Sequence, residues 1–246
     1  MKPVWALSKL VIKEIFRKKD FYVALILIGV ILFYAAQLQF YNVKNIVRYL
    51  MEIGLWLVFS FSVILTVTLA ARQFPSEIQN RTAAVLLSKP IRRGRFVIGK
   101  FLGSFLAGAS AFLIFYVLFL AVASAKGGGL ASGTAVQTAY LFLLNLMVVA
   151  AMASGFSYYL TVSANVSVTL ILYLLMGAYG QTLKGRAWAA LYYCLPHFEF
   201  FDLRQRFIHE WGPISAGLVF FLTCYAAVYT AIFLLLGALK LQRHSL

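Results

Sequence analysis

Acidic residues are scarce in this chain, which has seven Asp and Glu against 22 Lys and Arg among its 246 residues. Charged residues make up 12% of the sequence, about half the share found in ordinary soluble domains, whereas 63% is hydrophobic. A soluble fold of this size cannot bury so much apolar surface, so lipid must surround most of the chain. The two cysteines have no metal-binding spacing, and one lies in a loop while the other lies in an apolar run, so no disulfide is expected.

The apolar residues form long unbroken runs, each near the roughly 20 residues that a helix needs to cross a bilayer. Strands of a membrane barrel would instead alternate polar and apolar residues over about ten positions. The sequence therefore predicts a single all-α integral membrane domain over residues 1–246. The six predicted spans, none of which contains Lys, Arg, Asp or Glu, are residues 21–38, 53–71, 101–125, 135–160, 166–182 and 214–239.

An amphipathic segment, residues 3–19, precedes the first predicted span. Apolar residues such as Val4 and Leu7, and basic residues such as Lys9 and Lys13, each repeat at helical spacing. This pattern is typical of a helix lying in the membrane interface with its cations toward anionic lipid headgroups. A cytoplasmic extension of the first span is the alternative.

The distribution of Lys and Arg predicts the orientation. With the N-terminus inside, the four inner segments hold six, seven, none and two cations in chain order, which makes fifteen. The three outer segments hold two, one and four, which makes seven. The positive-inside rule favours this arrangement, which places both termini in the cytoplasm and the protein in the cytoplasmic membrane as a multi-pass protein. The longest inner connection is then residues 72–100, and the longest outer one is residues 183–213. Because the cations are spread over several loops, a nucleic-acid partner is not expected.

The inner connection 72–100 has the pattern of a short cytoplasmic helix. Ser76 and Gln79 have the spacing of a capping box, Glu77 lies in the first turn, and Pro90 cannot continue a helix. We therefore predict a helix over residues 77–88, followed by a basic turn with three arginines at positions 92, 93 and 95. Such a helix at the membrane surface suits contact with a soluble partner.

A segment of this connection, SEIQNRTAAVLLSKPIRRGRFVIGKFLG, resembles the inner loop of exporter-type (type 2) ABC transporter permeases. The resemblance is closest to the branch associated with copper-enzyme maturation. Arg81 stands before the threonine, where many members carry glycine, which argues against the polysaccharide and drug branches. The residues that carry the resemblance are Glu77, Thr82, Leu86, Leu87, Ser88, Pro90, Arg93 and Lys100.

The resemblance implies a permease subunit that moves a substrate across the membrane, in the direction of export, with ATP hydrolysed by a separate subunit. Two copies of that ATPase and a second permease, identical or related, are the implied partners, besides membrane lipid. Helix 77–88 would be the coupling helix that contacts the ATPase. Its implied coupling residues are Glu77, Arg81, Thr82, Val85, Leu86, Leu87, Pro90 and Arg93.

This chain is not expected to be an enzyme or to bind ATP or magnesium itself. Gly94 to Lys100 fits the phosphate-loop spacing, but Phe101 follows where such a loop needs Ser or Thr, and the segment enters a span. A membrane-embedded enzyme, or a channel not driven by ATP, is the alternative function. The enzyme alternative has no intramembrane acid to support it, and no charged filter indicates a channel.

Two polar side chains in the fourth span, Gln137 and Asn145, are candidates for the translocation path. The simpler interpretation is that they form hydrogen bonds with neighbouring helices. In the outer connection, Phe200, Phe201 and Phe207 together with Arg204 and Arg206 predict a short surface helix. The nearby His197, Glu199 and Asp202 match no standard metal site, so no metal is expected.

Overall fold

The computed structural model describes residues 19–37, 46–79, 93–126, 132–178 and 195–243. The regular elements in these ranges are seven α-helices and one 3₁₀ turn, Phe198–Phe201. The helices are α1 (Lys19–Gln37), α2 (Ile46–Gln79), α3 (Arg93–Ala125), α4 (Ser132–Phe156), α5 (Val162–Ala178), α6 (Arg204–Ile208) and α7 (Ala216–Arg243). The predicted all-α architecture is confirmed for the described part of the chain.

Four segments of these helices are long and apolar enough to cross a membrane: Arg48–Pro75, Phe96–Ala125, Gly133–Phe156 and Ala216–Leu241. The apolar segment of α5, Val162–Met176, is shorter. The other predicted spans, 21–38 and 166–182, overlap α1 and α5, and their last residues lie outside the described residues. Six spans therefore stay a prediction, as does the interfacial helix, of which residues 3–18 lie outside the described part.

The C-terminal end of α2 differs from the prediction. The helix does not stop near Ala71 but continues through Pro75 to Gln79, so the predicted start of a separate helix at Glu77 is wrong. Pro75 removes only the backbone donor to the Ala71 carbonyl, and a loss of this kind is tolerable near a helix end. Residues 80–92, which hold the rest of the predicted coupling helix, lie outside the described residues.

Two further helix ends were predicted wrongly. Arg93 and Arg95, expected in a basic turn, are the first residues of α3. The fourth and fifth spans were predicted to end at residue 160 and to begin at residue 166, but α4 ends at Phe156 and α5 already begins at Val162, so residues 157–161 form the turn. The Thr161 carbonyl accepts the Asn165 N–H at 2.8 Å and so closes the first turn of α5.

The core of the bundle is a cluster of aromatic rings from three helices. Phe59 of α2 stacks on Phe142 of α4, with ring centroids 3.8 Å apart. Phe112 of α3 packs against both rings, at centroid distances of 5.9 Å and 4.6 Å. All three side chains are buried. Aromatic pairs of this kind add about 0.5–1.5 kcal/mol each beyond the area they bury.

Small residues allow the helices around this core to approach closely. Ala107, Ala111 and Ala151 are buried, and small residues of this kind are typical of helix-packing faces in membrane proteins. Gly155 of α4 lies directly against the backbone of α7, since a Cβ atom at this position would be 2.7 Å from the Phe233 carbonyl oxygen. Close packing of α4 and α7 thus requires glycine at position 155.

Candidate functional site at one end of the bundle

A cavity of about 180 Å³ lies at the end of the bundle where α2 and α4 begin and α5 ends. The segment 195–213 runs along this end and supplies part of the wall. The volume is well above the ~10–15 Å³ that one water molecule needs, so the cavity has room for a small organic molecule. We call it the aromatic cavity. Its lining residues are Trp56, Phe59, Ser60, Phe142, Asn145, Tyr173, Leu174, Phe198, Glu199, Asp202 and Arg204.

The wall segment is anchored to the bundle by buried aromatic side chains. Phe198, Phe201 and Phe207 are buried, and the Tyr225 hydroxyl of α7 accepts the His197 backbone N–H at 2.9 Å. The predicted surface helix is therefore wrong in two respects. The segment forms a 3₁₀ turn and the short helix α6, and two of the three phenylalanines assigned to the surface, Phe201 and Phe207, face the core. These rings hold the polar residues between them in fixed positions.

Arg204 and Asp202 form a two-pronged ion pair in the cavity wall. The Arg204 Nη2 and Nε groups donate to Asp202 Oδ2 at 2.6 Å and 3.0 Å, and Nε also donates to Oδ1 at 2.9 Å. The guanidinium lies over the Phe59 ring, 5.7 Å from its centroid. This geometry fits the planar fork of arginine, which binds carboxylates and stacks on aromatic faces.

The charge state of Arg204 follows from its surroundings. Partial burial alone would lower the pKa of the guanidinium, but the hydrogen bonds and charge of Asp202, with smaller contributions that include Glu52, outweigh it. The pKa of Arg204 therefore lies above its ordinary value. Arginine is already charged throughout the physiological pH range at its ordinary pKa, and the raised pKa means that folding does not remove this charge.

Asn145 is the deepest polar group at the cavity. Its side chain is 3% exposed, and its Oδ1 atom accepts no hydrogen bond within the described part of the chain. A side-chain hydrogen bond joins Asn145 and Tyr173. An unpaired buried oxygen costs about 1–3 kcal/mol. The sequence identified Asn145 as a candidate, and the structure places it in the cavity lining.

Gln137 lies on the same helix and has a different set of contacts. Its Nε2 donates to the Ile214 carbonyl at 3.0 Å, and its Oε1 accepts the Ile214 N–H at 2.8 Å. Both ends of the amide thus hold the backbone just before α7. Gln137 does not line the aromatic cavity.

Replacing Gln137 with leucine is expected to lower the free energy of unfolding by about 1–3 kcal/mol, because both Ile214 backbone groups lose their partner. Thermal unfolding of the purified chain in lipid nanodiscs measures this effect. Gln205→Leu, at an exposed position of α6, is the matched control and should change stability by less than about 0.5 kcal/mol. Equal losses in the two variants would contradict the bridging role of Gln137.

Two of the candidate coupling residues are described, and they lie away from the cavity, at the other end of α2 and at the start of α3. Glu77 belongs to the last turn of α2, and Arg93 is the first residue of α3. About 27 Å of helix, at 1.5 Å per residue, separates Phe59 in the cavity from Glu77. The remaining candidates, Arg81, Thr82, Val85, Leu86, Leu87 and Pro90, lie outside the described residues.

Few features of the sequence indicated the cavity as a whole. Glu199 and Asp202 were considered as metal ligands, but no group of three or more His, Cys, Asp or Glu in the described residues is arranged to hold a metal ion. Trp56 and Phe59 looked like ordinary residues of a span. Glu52 lies on the same helix, α2, and its charge raises the pKa of Arg204 although the two residues are far apart in the sequence.

Comparison with known proteins gives one full-length match. The family model described as "ABC-2 family transporter protein" matches residues 3–245. The search of curated proteins finds no match. The family match spans both ends of the bundle and all the described helices.

Proposed function

Because this chain belongs to the ABC-2 transporter family and is the membrane permease subunit of an ABC transporter, we propose that it exports its substrate with ATP hydrolysed by a separate subunit. The observation that carries the proposal is the family match over residues 3–245. Multi-pass membrane localisation follows from the family and from the four apolar helices.

The backbone around Lys100 supports the assignment of ATP binding to another chain. A phosphate loop is a glycine-rich loop that joins a strand to a helix. Here Gly94, Gly99 and Lys100 all lie inside the continuous helix α3. Residues 94–100 therefore have no loop whose backbone N–H groups could surround a phosphate, so in this proposal ATP and magnesium are bound by the partner subunit.

We place the ATPase at the cytoplasmic side, where it contacts the connection between α2 and α3. Cations gather at that end of the bundle, including Arg72 and Lys100, and Lys240 and Arg243 at the end of α7. Their position favours a cytoplasmic location for this end and for both termini, in the cytoplasmic membrane. In the proposed assembly two ATPase copies bind two permeases, and the copper-enzyme-maturation branch is the nearest subgroup.

The experiment is purification of the tagged chain from its native membrane, followed by an ATPase assay of the complex in nanodiscs. We expect an ABC ATPase to copurify, and ATP hydrolysis to fall at least tenfold when the phosphate-loop lysine of that ATPase is replaced by alanine. The permease alone should hydrolyse no ATP above empty nanodiscs. Hydrolysis by the isolated permease, or a complex without an ABC ATPase, would refute the proposal.

A further inference from the structure

We infer that the C-terminal end of α7 binds one anionic phospholipid, with the Lys240 ammonium group on the headgroup phosphate and an acyl chain along the exposed face of the helix. We call this surface the lipid site. The inference goes beyond the proposed function because its ligand is a component of the bilayer and its binding needs neither ATP nor a partner subunit. The lipid site consists of Lys240, the Tyr159 ring beside it, and an apolar stripe of α7.

The apolar stripe lies on one face of α7 and ends next to Lys240. Val228, Ile232, Leu235 and Leu239 repeat at helical spacing, and their side chains are 44–62% exposed. At 1.5 Å per residue the stripe is about 16 Å long, which is close to the roughly 15 Å of hydrocarbon in one leaflet of a bilayer. The stripe therefore fits one acyl chain whose headgroup lies beside Lys240.

Lys240 lies at the boundary between hydrocarbon and headgroups. The apolar segment of α7 that could cross a membrane, Ala216–Leu241, ends one residue after it. A lysine in this position keeps its stem along apolar surface and its ammonium group at the level of the headgroups. An ammonium group has three N–H donors and binds phosphate as a compact point charge.

The Tyr159 ring holds the ammonium group beside the helix. Lys240 is partly buried, and its Nζ atom lies 5.3 Å from the centroid of the ring. The Tyr159 hydroxyl donates to the Leu236 carbonyl at 3.1 Å, one turn before Lys240. The neighbouring Tyr158 ring packs on Gly237, where a Cβ atom would be 3.0 Å from two ring atoms. The turn 157–161 is thus fixed to α7, and a cation that is already in position binds with a lower entropic cost.

The charge of the lipid site favours an anionic headgroup over a zwitterionic one. Residues 132–178 and 216–243, which include α4, α5 and α7, contain no Asp or Glu, and their cations are Lys240 and Arg243. A zwitterionic headgroup would bring its own cation close to these cations, whereas an anionic headgroup brings only its negative charge. Each Lys or Arg near a bilayer surface contributes an attraction to anionic lipid equal to about a fivefold preference.

Photo-cross-linking in nanodiscs tests the inference at the site itself. Leu239 is replaced by the photoreactive p-benzoylphenylalanine, and the purified chain is placed without an ATPase in phosphatidylcholine with a minor share of phosphatidylglycerol. Mass spectrometry of the α7 peptide counts the adducts of the two lipids. We expect phosphatidylglycerol adducts enriched at least fivefold over the bulk ratio, which corresponds to about 1 kcal/mol. Adducts at the bulk ratio, or cross-links mainly to a second copy of the chain, would overturn the inference.

Variants of Lys240 connect the enrichment to its charge. Lys240→Gln removes the charge and should return the adducts at Leu239 to the bulk ratio, whereas Lys240→Arg keeps a cation and should retain at least half of the enrichment. Lys126→Gln is the matched control, since Lys126 is an exposed lysine at the end of another candidate span, Phe96–Ala125, and should leave the ratio unchanged. Full enrichment in Lys240→Gln, or an equal loss in Lys126→Gln, would refute the site.

A second probe position separates the lipid site from a general attraction to the protein surface. Phe220 is 72% exposed and lies near the other end of α7. The same probe at Phe220 should give adducts within twofold of the bulk ratio, and equal enrichment at the two positions would contradict a specific site. Each variant is first tested for a monodisperse profile, and the comparison of the two probe positions decides alone if Lys240→Gln fails to fold. Since no ATPase is present, a failure of the proposed coupling to ATP leaves this result unaffected.

Discussion

Gly155→Ala is expected to lower the free energy of unfolding by about 1–3 kcal/mol, the range found for overpacked cores. The added Cβ would meet the Phe233 carbonyl oxygen at 2.7 Å and its carbon at 3.4 Å. Both atoms belong to the backbone of α7, so a rotamer change cannot relieve the contact and the two helices must move apart. Gly155→Leu, with a longer side chain, should leave little folded protein. Thermal unfolding in nanodiscs measures the loss.

Gly133→Ala is the matched control for this prediction. Gly133 lies on the same helix, α4, but a Cβ at that position meets nothing within 4 Å. Alanine there should be neutral or stabilising by up to about 1 kcal/mol, since glycine is the poorer helix former. An equal loss in both variants would show that the contact with α7 does not decide the effect of Gly155→Ala.

Leu86→Asp in the inner connection is expected to abolish the stimulation of the ATPase by the permease, with a loss of at least tenfold. The prediction rests on the proposed role of the coupling helix, residues 77–88, whose apolar positions Val85 to Leu87 would contact the ATPase. Burying an unpaired carboxylate at such a contact is costly. ATP hydrolysis by the complex, compared with that of the ATPase alone, measures the stimulation.

Asn80→Asp is the control, because it adds the same charge to the same connection without changing the apolar positions. We expect it to keep normal stimulation and normal membrane insertion. Glu77→Ala should show a partial loss if Glu77 takes part in the contact. Full stimulation in Leu86→Asp would exclude this stretch as the coupling segment.

Helix existence was predictable because it depends on local composition, whereas helix ends were not. The apolar runs identified every long helix in the described residues, since lipid requires each run to satisfy its own backbone hydrogen bonds. The positions of the helix ends depend on weaker energetic contributions, such as single hydrogen bonds. The second span was predicted to end at residue 71, but α2 continues through Pro75 to Gln79, because the loss of one hydrogen bond at the proline does not stop the helix. The basic residues from Arg93 extend α3 instead of forming a turn.

The two polar residues of the fourth predicted span show the same difference between what the sequence predicts and what the structure decides. Asn145 and Gln137 were both recognisable as unusual in a span, and the sequence offered the same two interpretations for each. The structure separates them by their neighbours: Gln137 has both ends of its amide paired with Ile214, whereas Asn145 has an unpaired oxygen beside a cavity. Which neighbour a side chain meets depends on residues distant in sequence.

The sequence alone determined that this protein is helical, lies in the membrane and carries a connection, residues 72–100, that resembles the inner loop of ABC permeases, and the family match agrees. These properties come from hydrophobic runs and short motifs, which are local. Only the tertiary structure brought Trp56 and Phe59 of α2 together with Asn145 of α4 and with Glu199 and Arg204 of the wall segment. A cavity is the space left by packed helices, so its lining is decided by contacts between distant segments and by the glycines that allow the helices to meet.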